Sequence, residues 1–137
     1  MSVLGNEAPI ASLPGEIVPK REFYDYVAKY LEDSTELIAP ANLEKEIVER
    51  LQEYAIRAFK AVDCEGMGRV DFLMEKTTAK IFISEINTIP GFTQISMYPK
   101  LWEVSGITYP ELISRLIDLA IERHEMKKKL RTDIGKG

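Results

Sequence analysis

The sequence predicts an α+β domain, an antiparallel sheet with flanking helices. Two adjoining stretches, Arg69–Glu75 and Lys80–Ile86, are rich in Val, Ile and Phe and are joined by the polar Glu75-Lys76-Thr77-Thr78, the pattern of a hairpin. Two others, beginning near Asn42 and at Pro110, repeat apolar residues at spacings of three and four, the period of an amphipathic helix. The length of 137 residues suits one compact domain with a real core and is too short for two.

Taken in order, Ser2-Val3-Leu4-Gly5 reads as the end of a strand whose beginning is missing, and an open sheet edge is expected there. Pro14-Gly15 is a turn signal, and Glu16-Ile17-Val18 suits a short strand. Residues 19–41 combine charge, Tyr and Pro with poor periodicity. Connections of that length inside a compact domain are usually functional or disordered, and the cluster Phe23, Tyr24, Tyr26 and Tyr30 argues for order by burial. Asn42 is the expected helix cap, with Glu44 and Glu46 in the first turn. Ile47, Leu51, Tyr54, Ala55, Ala58 and Phe59 then mark one face of a helix of about five turns. Gly66 and Gly68 close this region before the hairpin. Pro90-Gly91 forces an irregular loop, Ile95–Val104 suits a short helix around Pro99, and Pro110 fits the first position of a last helix running to about Lys129. In that helix Leu112, Ile113, Leu116, Ile117, Ala120 and Ile121 are expected to form one apolar face.

Composition removes several function classes. Hydrophobic residues make up 45% and charged residues 29%, as in ordinary soluble domains. A net charge of −4 gives no global attraction for nucleic acid. The basic run Lys127, Lys128, Lys129 and Arg131 lies at a helix C-terminus, where cations suit the dipole; a partner patch is the other reading. The single cysteine, Cys64, has no partner at metal or disulfide spacing, and the single histidine, His124, sits among charges on a helix. Triad-type nucleophilic catalysis is therefore not expected. No apolar run reaches membrane-spanning length and no signal-peptide pattern opens the chain, so a cytoplasmic location is expected.

The chemistry concentrates in the hairpin. Strand alternation puts Arg69, Asp71 and Leu73 on one face, with Val70, Phe72 and Met74 on the other. In the second strand Ile83, Glu85 and Asn87 alternate with Phe82, Ser84 and Ile86. Pairing the strands can place Arg69, Asp71, Glu85 and Asn87 on one surface. Two carboxylates and an amide oxygen are hard ligands suited to Mg²⁺ with phosphate, and an adjacent guanidinium can neutralise developing negative charge. Arg69, Asp71 and Glu85 read equally well as a salt-bridge ladder across a surface hairpin, and spacing does not decide between the two. Beyond them, Gly91 lacks a Cβ, so a ligand can approach its backbone closely.

The string GMGRVDF, a strand ending EINTIPGFTQISMYPKLW, and then SGITYPELI resembles the D-alanine–D-alanine ligases of the ATP-grasp superfamily. SLPGEIVP at 12–19 and EFYDYVAKY at 22–30 resemble the same family, the latter its mobile loop. The likeness runs from about Val3 to His124. It implies that residues 1–137 are the C-terminal half of an ATP-grasp domain, with 19–41 as a mobile active-site loop.

In that family ATP phosphorylates the carboxylate of one D-alanine and the amine of a second attacks the acyl phosphate, giving D-Ala-D-Ala for peptidoglycan. The resemblance implies Asp71, Glu85 and Asn87 as ligands of two Mg²⁺ (or Mn²⁺) ions, with Glu85 also toward the nucleotide phosphates. It implies Arg69 and the Gly91 N–H as stabilisers of the acyl phosphate and the tetrahedral intermediate. Ser96 and Met97 would receive the second D-alanine, Lys29 would reach the terminal phosphate, and Tyr30 would close the pocket against water. Tyrosine there, rather than the histidine of D-lactate-joining relatives, points to an amine acceptor. Val27 departs from the glutamate of many members, and Met97 replaces a frequent leucine. On their own, Tyr30 reads as a packed aromatic, Lys29 as a solvated cation and Ser96 as a helix cap. The family's N-terminal and central parts have no counterpart here. A fragment, inactive alone, is therefore expected, with apolar surface that leaves room for association between copies. A nucleotide- or partner-binding remnant is the alternative.

Overall fold

The computed structural model describes residues 1–19 and 35–130, so Lys29, Tyr30 and Arg131 lie outside the described residues. The element order is β1 (Ser2–Gly5), β2 (Ile10–Ala11), β3 (Glu16–Pro19), β4 (Thr35–Ile38), α1 (Lys45–Ala61), β5 (Gly66–Met74), β6 (Ile81–Asn87), α2 (Met97–Val104) and α3 (Tyr109–Lys128). The larger sheet runs β2-β1-β5-β6, antiparallel throughout, and β3 and β4 form a separate antiparallel ladder. This is the α+β class that the sequence predicts. The expectation of an open edge at residues 2–5 is overturned: β1 is an inner strand, flanked by β2 and β5. Thr35–Ile38, read in the sequence as part of a long connection, is strand β4, paired with Glu16–Pro19.

Helices cover both faces of the larger sheet. Val3 pairs with Gly68, and their side of the sheet, with Val70, meets the buried Leu51, Ala55 and Phe59 of α1. Glycine at 68 is a packing requirement: a Cβ there would lie 3.0 Å from the Phe59 ring. The alternate residues Leu4 and Met67 also pair, and they pack with Tyr98 and Trp102 of α2 and Leu112 of α3. Period-two alternation in β1 and β5 thus feeds two cores on opposite faces.

Helix boundaries depart from the sequence reading in small, explicable ways. α1 starts at Lys45 after Glu44, not after Asn42, and the Glu44 carbonyl accepts from the Val48 N–H at 3.1 Å. Gly66 and Gly68 belong to β5 rather than preceding it; Gly66 has φ +77, which favours glycine. α2 starts at Met97, two residues later than expected. In α3 Tyr109 precedes Pro110 as the first helical residue.

The expected apolar face of α3 divides in two. Leu112 is fully buried, with Leu116 and Leu119 packed beside it, whereas Ile113, Ile117 and Ile121 are exposed at successive four-residue steps. Asn6 ties the inner side of α3 to the sheet. Its amide donates to the Leu119 carbonyl at 3.0 Å and to Glu122 at 2.8 Å, while its oxygen accepts from the Gly66 N–H at 3.1 Å. The exposed stripe has no such requirement to meet, because spacing alone carries no information about which side of a helix faces the sheet.

Candidate active site

The register of β5 and β6 assembles the four polar residues. Asp71 stands directly opposite Glu85, and Arg69 directly opposite Asn87. Directly opposed residues project from the same face, with Cβ atoms about 5 Å apart. That face is the one carrying Leu4, Met67 and helices α2 and α3, since Ser2, the partner of Arg69, donates its hydroxyl to the Tyr98 carbonyl at 3.2 Å. The polar quartet therefore continues the sheet surface that the α2–α3 layer covers further along β5.

A bulge trims this surface. The register shifts between Asp71 and Phe72, so that Phe72 opposes Ile83 and Leu73 opposes Phe82, leaving Ser84 as the extra residue of β6. Strict alternation groups Ile83 with Glu85. Past the bulge it is Phe82, with Leu73, that shares the face of Asp71 and Glu85, and Ile83 turns to the side of Phe72. The sequence shows no glycine or proline at Ser84 to announce this irregularity.

Arg69 and Asp71, two apart on one strand, form a two-pronged ion pair. Nε reaches one carboxylate oxygen and Nη2 the other, each at 2.8 Å. Their side chains are 22% and 29% exposed, so water screens the pair only in part. The hydrogen bonds that Arg69 donates to Asp71 push the arginine pKa further up, against the effect of burial, and the charge of Glu85 adds in the same direction. Both acidic groups act on one guanidinium, and Asp71 is the one it holds.

The donor set fits a hard divalent cation. Two carboxylates oppose one another with an amide oxygen one pair along, and a magnesium ion bound with nucleotide phosphate needs few protein ligands. Among the described residues no group of three or more His, Cys, Asp and Glu converges as a self-sufficient metal cage. The Asn87 Oδ1 accepts from the Ile89 N–H at 3.1 Å, which turns the chain out of β6 into the loop.

The loop 88–96 brings Gly91 and Ser96 together. A Cβ on Gly91 would lie 3.1 Å from the Ser96 Oγ. The Thr93 N–H donates to that oxygen at 3.1 Å, the Thr93 hydroxyl lies 2.8 Å from it, and the Ser96 N–H donates to the Thr93 carbonyl at 2.9 Å. The Ser96 hydroxyl thus faces back into the loop and makes no hydrogen bond capping α2. Met97, half-buried, opens that helix. Sequence reasoning missed Phe92, Thr93 and Tyr109, which hold this loop; the only signal was an aromatic on either side of two turn-forming segments.

Comparisons with known proteins place the chain in a family. Residues 1–118 match the family described as D-ala D-ala ligase C-terminus. The chain is 59% identical over 123 residues to a D-alanine--D-alanine ligase of Acetivibrio thermocellus, covering 90% of this chain and 33% of that protein. A D-alanine--D-alanine ligase of Ruminiclostridium cellulolyticum is 61% identical over 126 residues, with 90% and 34% covered. Among solved structures, the D-alanine-D-alanine ligase from Coxiella burnetii superposes with a TM-score of 0.80 at 46% identity, covering 93% of this chain and 32% of that one. The VanG D-Ala:D-Ser ligase from Enterococcus faecalis gives 0.76 at 36% identity, with 86% and 34% covered. A Bacillus anthracis D-alanine--D-alanine ligase complexed with ATP gives 0.72 at 28% identity, with 92% and 40% covered. The fold and site define a part of an ATP-grasp ligase. The chain belongs to the D-alanine–D-alanine ligase family, in its C-terminal part, and spans about a third of the length of the curated relatives it matches.

Proposed function

We propose that this chain supplies the metal-binding, oxyanion-stabilising and acceptor-binding residues of an ATP-dependent ligase that joins two D-alanines. The observation that carries the reading is the β5–β6 register, which puts Asp71 against Glu85 and Arg69 against Asn87 on one face. A surface salt-bridge ladder would account for Arg69, Asp71 and Glu85 but gives no reason for the amide oxygen of Asn87 on the same surface, beside an exposed glycine loop.

In this reading Asp71, Glu85 and Asn87 hold Mg²⁺, which would draw the phosphate oxygens of ATP together and offset their charge as phosphate moves to the first D-alanine. Arg69 neutralises negative charge on the acyl phosphate and on the tetrahedral intermediate, jointly with the Gly91 N–H. Ser96 and the start of α2 at Met97 take the carboxylate of the second D-alanine and aim its amine. Lys29 and Tyr30, outside the described residues, keep the roles that the family resemblance implies: the terminal phosphate for the lysine, exclusion of water for the tyrosine. The product serves peptidoglycan synthesis, from the cytoplasmic side.

The experiment grafts this chain in place of the matching third of the Acetivibrio thermocellus relative and measures ADP and D-Ala-D-Ala formation. The expected result is activity in the graft and its loss, by roughly a hundredfold or more, in Asp71→Asn and Glu85→Gln, since each removes a charged ligand from the ion. A folded graft without activity overturns the reading. A graft that prefers D-serine as acceptor would place the chain with the D-Ala:D-Ser relatives instead.

A further inference from the structure

We propose that Tyr109 is a positioning residue for the second substrate, acting through the Phe92–Thr93 peptide on the Ser96 hydroxyl. The inference rests on the ligase reading for its purpose, but its geometry stands alone.

Tyr109 opens α3, and its phenol donates to the Phe92 carbonyl at 2.9 Å. The next amide in the chain, the Thr93 N–H, donates to the Ser96 Oγ at 3.1 Å. These are the two ends of one planar trans unit, in which carbonyl and N–H point in opposite directions. Holding the oxygen at Tyr109 therefore aims the hydrogen at Ser96. The unit has no freedom to rotate without breaking both bonds.

The Phe92 side chain keeps the unit in place. Its ring lies 5.6 Å from that of Tyr109 and 5.9 Å from that of Tyr98, both tilted, and it packs on the cluster of Leu4, Trp102 and Leu112. Tyr98 is itself fixed to inner strand β1 by donating to the Val3 carbonyl at 2.9 Å. The neighbouring loop residues Thr88, Ile89, Gly91, Thr93, Gln94 and Ile95 are exposed, so an anchored carbonyl is what keeps this stretch in one shape.

The chemical consequence falls on Ser96. Its oxygen accepts from the Thr93 N–H, with the Thr93 hydroxyl close enough to donate to it as well. Either of the two hydroxyls can donate in the 2.8 Å contact between them, so a carboxylate arriving here can take the Ser96 proton while the Thr93 hydroxyl turns to donate to the Ser96 oxygen. The same loop carries Gly91, where a Cβ would lie 3.1 Å from this hydroxyl. One phenol at the start of α3 thereby sets both the acceptor's partner and the backbone beside it.

The test substitutes Tyr109→Phe, which keeps the ring and removes the bond. In the ¹⁵N-labelled chain, Thr93 amide exchange should rise roughly fivefold, the Boltzmann factor of one hydrogen bond. Exchange within α3 should hold, and the melting temperature should fall by no more than the few degrees that one lost hydrogen bond allows. In the graft, the KM for the second D-alanine should rise by a similar factor while that for ATP stays put, and Tyr109→Phe should add little in a Ser96→Ala background. Tyr109→Leu, which also loses the ring contact, should show the larger loop effect. An active graft with unchanged acceptor KM, or a Thr93 amide that exchanges as in the wild type, overturns the proposal. An inactive wild-type graft brings down the ligase reading and the acceptor role with it, while the amide measurement still decides the clamp.

Discussion

Arg69 grips Asp71 with both prongs of its guanidinium, one nitrogen to each carboxylate oxygen at 2.8 Å, and so engages the carboxylate that the proposed function also gives to a metal ion. Both residues are assigned by the proposed function to the same reaction, yet in this arrangement they serve one another. Under the proposed function Asp71 would serve both the arginine and a divalent cation, so the two would compete for one carboxylate.

That competition predicts tighter metal binding without any removal of charge. Arg69→Lys keeps the positive charge but loses the planar fork that matches a carboxylate. Its chain should bind Mn²⁺ roughly threefold more tightly than the wild type, the order of a partly exposed ion pair. Titration followed by Mn²⁺ electron paramagnetic resonance reads this directly. Equal affinity in the two chains would mean that charge repulsion, and not the fork, opposes the metal.

Helix α3 offers a test of which side carries stability. Leu112 is fully buried between the sheet and α2, whereas Ile117 is 55% exposed. Leu112→Ala should cost about 2–5 kcal/mol in urea unfolding, and Ile117→Ala within about 0.5 kcal/mol. Comparable losses for both would show that the exposed stripe is covered in solution.

Much of this architecture is legible in the sequence because period and turn chemistry are local. The hairpin, the two long helices and the α+β class follow from spacing, and the polar quartet follows from alternation in two short strands. What escaped depends on tertiary facts. β1 is an inner strand because β2 returns along it after a tight turn at Gly5, whose φ is +135. The Ser84 bulge shows only in the pairing of β6 with β5, and nothing in ISEIN marks it. Tyr109 looks like any residue before a helix proline; only the approach of α3 to the loop gives its hydroxyl a partner. Deciding between a metal site and a salt-bridge ladder lies likewise beyond the spacing, and the metal reading remains the proposal made above.

The contact between β5 and α1 predicts a steric penalty without any change of polarity. Gly68→Ala would press a methyl against the Phe59 ring at 3.0 Å, in a core where Phe59 and Ala55 are fully buried. The expected cost is about 1–3 kcal/mol in denaturant unfolding, the range for overpacking. Phe59→Leu in the same chain should return part of it, because the ring is what the methyl meets. Additive losses in the double variant would place the strain elsewhere.

Cys64 gives the pH dependence. Burial pushes its thiol above the ordinary value of 9.0, outweighing the hydrogen bond at Glu65 and the charge of Arg123, both of which favour the thiolate. At pH 8 the folded chain should therefore react with iodoacetamide more slowly than the urea-unfolded chain, since the thiolate is the nucleophile. The linked stability has a definite sign. The protonated thiol is the form the fold favours, so its contribution is fully present below 9.0 and is lost as pH rises through the higher folded value. Cys64→Ala should flatten that part of the alkaline stability profile. A profile that falls equally in both chains would assign the loss to another group.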